Sequence, residues 1–158
     1  MQRRFLLVSL MFFTGLLAAC SSGPVKRVSP PAASVQQLTV NVDGSWTVLL
    51  RLQNYSSVPM RFESAAIQMS VGGTPGVALI AAPGISIGPA SADVASIALQ
   101  PSSEAKIAVA NALASRRSLD YTLQGTVEAA PEDARSRTFK IDTRNTLSPV
   151  PGLDGVLR

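Results

Sequence analysis

Histidine is absent from this chain, and cysteine occurs once, at position 20. The first absence removes the commonest general base, proton shuttle and metal ligand together. The second excludes a disulfide within the monomer, so the fold must hold by packing and hydrogen bonding alone. Any catalysis would have to run on carboxylates, lysine, serine or tyrosine. Aromatics are scarce, with one tryptophan and two tyrosines among 158 residues. An excess of one charge sign is lacking as well: the formal net charge is +4, and it falls to +2 once Arg3 and Arg4 are set aside. A near-balanced surface argues against a nucleic-acid partner, which wants a basic face. Lys106, Arg116 and Arg117 are the residues that could form a small basic patch.

Long hydrophobic runs are missing too. The longest, Phe5 to Leu17, covers about 13 residues, the length of a signal-peptide core and too short to span a bilayer. It follows Arg3-Arg4 and ends in Leu17-Ala18-Ala19-Cys20, which resembles the bacterial lipobox. Small residues at 18 and 19 suit the peptidase, and the Cys20 thiol would carry a diacylglycerol and the new amino terminus an acyl chain. The expectation is a chain cut after residue 19, anchored to a membrane by covalent lipid and not spanning it. Ser21 follows the acylated cysteine, which points to the periplasmic face of a Gram-negative outer membrane. Eleven arginines against three lysines agree weakly with a GC-rich source.

Without residues 1–19 the chain has 139 residues, enough for one domain with a real core. Residues 20–34 hold Ser, Pro, Gly and Ala with no apolar period, and they read as a tether that could lift the domain on the order of 40 Å. From Val35 the pattern has period two. Leu38, Val40 and Val42 run into Asp43-Gly44, and Trp46, Val48, Leu50 and Leu52 follow, which together spell a hairpin. Trp46 reads as core. Asn54 to Pro59 is loop. Met60 and Phe62 form a short inward set, and Ile67, Met69 and Val71 form another of opposite phase, implying a bulge near residues 64–66. Gly76 to Ala82 reads as a buried strand, and Val94, Ile97 and Leu99 as a further one. Ser102 or Ser103 caps a helix to Ser115 with Ile107, Ala110 and Leu113 or Ala114 on one face. Leu119 to Val127 is the cleanest alternating strand, with Tyr121 inward and its hydroxyl expected on a backbone group. Phe139 and Ile141 belong to the last strand, and residues 148–158 read as a loosely packed tail.

Seven or eight short strands with regular turn signals and one helix predict an antiparallel immunoglobulin- or fibronectin-like β-sandwich. The order of features resembles the late embryogenesis abundant type 2 group, also called the WHy (water stress and hypersensitive response) domain. The matching segments lie between Leu38 and Leu147: Val48 to Asn54, Pro59-Met60-Arg61-Phe62, Ile67 to Gly73, the Tyr121-x-Leu123-x-Gly125 strand, and Phe139 with Ile141. The family's Asn-Pro-Asn loop is here Asn54-Tyr55-Ser56. The resemblance implies a fibronectin-like sandwich over residues 35–147, no agreed active site, and an association with desiccation and related stress.

Chemistry is sparse. Glu132-Asp133 is the only adjacent carboxylate pair and sits in a Pro-containing loop, where solvation is the expected role; Asp120 and Asp142 fall on outward strand positions. No clustered carboxylates offer a metal site, and no cofactor is expected beyond the covalent lipid. Ser103 and Lys106 have a Ser-x-x-Lys spacing, but the companion motifs are missing, and a helix cap with a surface lysine is the expected reading. Tyr55 in the Asn54 loop, beside Arg61, is the candidate partner contact. Two functions compete: a non-enzymatic envelope protein protecting others under stress, and an accessory subunit of an envelope assembly or transport complex. The second would use a groove or a strand edge, with Met60–Glu63 and Phe139–Thr143 as the candidate edges.

Overall fold

Two stretches in which leucine, valine and tryptophan alternate with polar residues pair as the first hairpin of the computed structural model, which describes residues 25–158. β1 (Ala32–Val40) lies antiparallel to β2 (Trp46–Gln53). The turn is built as its residues dictate. Gly44 takes φ +80°, a left-handed conformation that an L side chain resists, and its amide donates to the Asn41 carbonyl at 2.9 Å. The Ser45 hydroxyl and amide donate to Asp43 Oδ1 at 2.6 and 2.9 Å. These bonds hold the Asp43 carboxyl below its usual range, the side-chain bond most strongly.

The next strand, β3 (Met60–Val71), is a single twelve-residue strand. Its two apolar sets of opposite phase are reconciled by a register shift between Phe62 and Ser64. Phe62 and Ala65 thereby face the same core although three residues apart. β4 (Val77–Ala81) and β5 (Ile85–Ile87) occupy successive stretches of one edge of β3, and β6 (Ala92–Leu99) crosses to pair with β2. After helix α1 (Ser103–Ser115), β7 (Leu119–Pro131) pairs along the other edge of β3, and β8 (Arg137–Leu147) pairs with β7. The short β9 (Val156–Leu157) returns to β1. One sheet thus runs β6-β2-β1-β9 and the other β4-β3-β7-β8, so the fold is the mostly-β antiparallel sandwich with one helix that the sequence predicts.

Between the sheets Leu38, Trp46, Leu50 and Leu52 meet Met60, Phe62, Ile67 and Leu123, all buried in one cluster. Each such side chain contributes roughly 1.5–3 kcal/mol by leaving water. Gly125 marks a point where the backbones of β7 and β3 approach so closely that a Cβ there would lie 2.2 Å from the Ala66 carbonyl oxygen. Tyr121 ties the sheets together: its buried hydroxyl accepts from the Val35 amide at 3.0 Å, where β1 has its own register shift between Val35 and Gln37.

Several boundaries and faces differ from the sequence reading. The segment assigned to the tether is bonded to the domain from Val25 onward. Pro31 is buried, and Ala32–Ser34 already belong to β1. Ser57 fixes this segment: its amide donates to the Arg27 carbonyl at 2.9 Å and its hydroxyl accepts from the Arg27 amide at 2.8 Å. The tail is packed as well. Val156 and Leu157 are buried on β1, and Pro149 bridges to Leu157. Met60–Glu63 is not an edge, because β5 and β7 flank it on either side, whereas Phe139–Thr143 does lie on an edge strand. The apolar run Gly76 to Ala82 is an edge strand with only Leu79 buried. In β6 the inward residues are Ala95 and Ile97, and Val94 faces out. Val42 lies fully exposed in the hairpin turn.

Candidate functional site

The two sheet ends present different loops. Gln53, Ala92, Met60, Ile87 and Pro131 all lie at one end by strand register. This loop end gathers residues 25–31 and the loops 54–59, 88–91 and 132–136. The hairpin turn, α1 and the C-terminal residues gather at the other, the helix end.

At the loop end, polar residues go inside. Asn54 is fully buried, and Ser56 nearly so. Asn54 Nδ2 donates to the carbonyls of Val58, Ile87 and Gly88 at 2.9–3.0 Å. Its Oδ1 accepts from the Ser56 amide at 2.8 Å, an Asx turn, and its own amide donates to the Ser91 carbonyl. Ser56 Oγ in turn accepts from the Ser29 amide at 3.0 Å and contacts Met60 Sδ at 3.1 Å. Thus one asparagine and one serine tie two loops and the incoming chain together. Among the described residues no buried side-chain polar atom lacks a partner, so these groups are engaged in structure. The sequence reading saw Asn54 only as the first residue of a family loop. An uncharged Asn-x-Ser between two strand ends was the available signal, but two of its three carbonyl partners, Ile87 and Gly88, lie over thirty residues away.

Tyr55 extends from the same loop with 53% of its surface exposed. Arg61 is exposed on β3 and lines a shallow groove with Pro59, Ser86, Pro131, Glu132 and Asp133. Tyr55 is not part of that lining, so the two proposed contact residues do not share one concavity. Glu132 and Asp133 are exposed in the β7–β8 turn, and Asp133 forms a surface ion pair with Lys26 at 3.4 Å. Asp120 and Asp142 face outward.

At the helix end, Ser102 is the N-cap and its Oγ accepts from the Ala105 amide at 3.2 Å. The Glu104 carboxyl is held below its usual range, by its own backbone amide first and the Ser102 hydroxyl second. Lys106 Nζ points over the hairpin turn at Gly44. The cap is thus Ser102, while Ser103 and Lys106 of the Ser-x-x-Lys spacing are an exposed first helical residue and a surface lysine. The inward helix face is Ala105, Val109 and Ala112; Ile107, expected inward, is 61% exposed. Lys106 and Arg116 are separated by ten helical residues, roughly 15 Å along the axis, so the basic trio does not converge. Arg116 closes the helix in the left-handed conformation at φ 51°.

Among the described residues no three carboxylates or other metal-binding side chains come together, and no helix is long and apolar enough to cross a membrane. Leu17, Ala18, Ala19 and Cys20 lie outside the described residues.

No family model matches the chain, and no curated protein matches it. Several solved structures are similar to it. A crystal structure from Bordetella pertussis, described as a candidate ApaA protein, is 15% identical over 82% of this chain and all of its own, with a TM-score of 0.48. The solution structure of a candidate late embryogenesis abundant protein, At2g46140.1, is 14% identical over 95% of this chain and 87% of its own, also at 0.48. The solution structure of AT1g01470 from Arabidopsis thaliana is 14% identical over 84% of this chain and 85% of its own, at 0.45. Scores at this level carry no functional weight, and the sandwich described above rests on its own strand pairing.

Proposed function

We propose that this chain is a non-enzymatic lipoprotein of the outer membrane, facing the periplasm, whose LEA type 2-like sandwich protects neighbouring molecules through surface contacts during desiccation or envelope stress. The observation that carries the reading is Leu17-Ala18-Ala19-Cys20. The chain's one cysteine stands where a lipobox requires it, behind a leader too short to span a bilayer. The buried polar side chains described above agree with a structural domain: Asn54, Ser56 and Tyr121 are each committed to backbone partners. The anchor is tested by palmitate labelling in cells. Cys20→Ser is expected to lose the label and stay uncleaved, and unchanged processing would overturn it. Protection by diffuse contact predicts that in-cell crosslinking captures a broad spread of envelope proteins at low yield.

A second reading, an accessory subunit with one protein or lipid partner, draws on the free edges β4 and β6. They lie on the same side of the sandwich and border a cleft of about 410 Å³ that includes Ile80, Val94 and Ile97. Ile80 is largely exposed there. One crosslinked partner at near-stoichiometric yield would favour this reading, as would its loss on charging Ile80.

A further inference from the structure

The chain between the lipid and the domain is much shorter than its composition suggests. The Val25 carbonyl already accepts a hydrogen bond from Ser57 Oγ at 3.2 Å, and Arg27 exchanges backbone and hydroxyl bonds with Ser57. Only five peptide units separate Cys20 from Val25. Even fully drawn out they reach no more than ~18 Å. A sandwich held that closely cannot present its ends to the bilayer equally.

What the loop end offers at that distance suits a phospholipid surface. Val25 is 83% exposed, Val28 is also exposed, and Tyr55 stands beside them on the loop that Ser56 and Ser57 bond to this segment. Arg27 is exposed between the two valines, and Arg135 is exposed in the neighbouring turn. Amphipathic aromatics prefer the headgroup layer, and guanidinium groups pair with phosphate oxygens in a fixed fork. Lys26 is matched by Asp133, and Glu132 lies in the same turn, so the attraction rests on the arginines and the apolar side chains together. We propose that the face formed by Val25, Arg27, Val28 and Tyr55 lies on the anionic phospholipid surface to which Cys20 is anchored. This rests on the lipid-anchor reading above.

The test imposes the anchor chemically, so it does not depend on processing in cells. The chain from Cys20 to Arg158 is coupled through its thiol to a maleimide lipid. The carrier is a nanodisc of phosphatidylcholine and phosphatidylglycerol with a gadolinium-chelating headgroup. Paramagnetic broadening of amide signals reports proximity. Residues 25–29 and 55–57 should broaden far more than the Asn41–Ser45 turn. In the Arg27→Ser/Tyr55→Ser variant that contrast should fall about two-fold or more. Among the described residues neither side chain makes a hydrogen bond, so the variant is expected to fold. Uniform broadening, broadening of the helix end, or a contrast unchanged in the variant would each overturn the proposal. Loss of the anchor reading would show separately, as unlabelled Cys20 in cells with the nanodisc result intact.

Discussion

The loop end and the helix end of the sandwich are closed by different chemistry. At the loop end, the side chains of Asn54 and Ser56 make five hydrogen bonds with backbone groups of their own loop, of Ile87 and Gly88, and of Ser29. At the helix end, Ala105, Val109 and Ala112 lay small apolar side chains on the core without a side-chain hydrogen bond among them. Polar closure is directional, and losing one group strands several partners in a dry site. Apolar closure is a sum of small contacts, each replaceable in part. One end should therefore fail as a unit, while the other weakens by degrees.

The largest effect belongs to the seam that both ends share. Gly125→Ala would drive a Cβ to within 2.2 Å of the Ala66 oxygen, and the β3–β7 backbone must move. A loss of about 4 kcal/mol, or failure to fold, is expected in urea unfolding; a loss below about 1 kcal/mol would show that the two strands separate freely. Next comes Asn54→Ala, expected to cost about 3 kcal/mol because the carbonyls of Val58, Ile87 and Gly88 lose their donor. Hydrogen exchange should then rise together in residues 27–29, 54–58 and 88–91. Exchange rising in the Asn54 loop alone would break the view of that end as one unit.

Val109→Ala makes the matching change at the helix end. A cost of about 2 kcal/mol is expected, with faster exchange confined to α1 and no change at Ser29 or Ser57. The smallest effect concerns the tie between the sheets. Burial raises the Tyr121 pKa above its ordinary value of 10.0, although bonds from Val35 and Asn145 oppose this. With a folded pKa above the unfolded one, the folded state holds the proton longer. Its contribution is complete below the unfolded value and is lost as pH rises through the folded one. Stability should therefore fall with rising pH from about 10 upward. Tyr121→Phe should flatten that slope and cost about 1 kcal/mol near neutrality, since the Val35 amide loses its acceptor.

The strands were legible wherever one face meets the core and the other meets water. β1, β2, β7 and β8 announce themselves by alternation, and Asp43-Gly44 fixes the first turn by its backbone preferences. The phase change between Phe62 and Ile67 was readable as a bulge for the same reason, although its position moved to Glu63. The helix was legible from its Ser102 cap, but its buried face was not. Ala105, Ile107, Val109, Ala110, Ala112 and Leu113 surround most of the axis with apolar residues, so spacing alone did not choose among faces. β4 misled because five apolar residues look alike whether a strand is covered on one side or two. Asn54 was the hardest to read. A loop asparagine has the same local sequence whether it faces water or three carbonyls, and two of those carbonyls, of Ile87 and Gly88, come from a distant part of the chain. The candidate contacts Tyr55 and Arg61 are both exposed, yet only the folded chain separates them into different surfaces.

β9 gives the fold an order in time. The strand that begins the domain receives one of its two neighbours from Val156 and Leu157, more than a hundred residues later. A ribosome delivers β1 first and β9 last, and almost every other strand emerges between them. The sheet that contains β1 therefore keeps an open edge until Leu157 has emerged. A stop codon before Val156 would leave that edge bare, and a bulky insertion directly beside Leu157 would crowd the last joint to close.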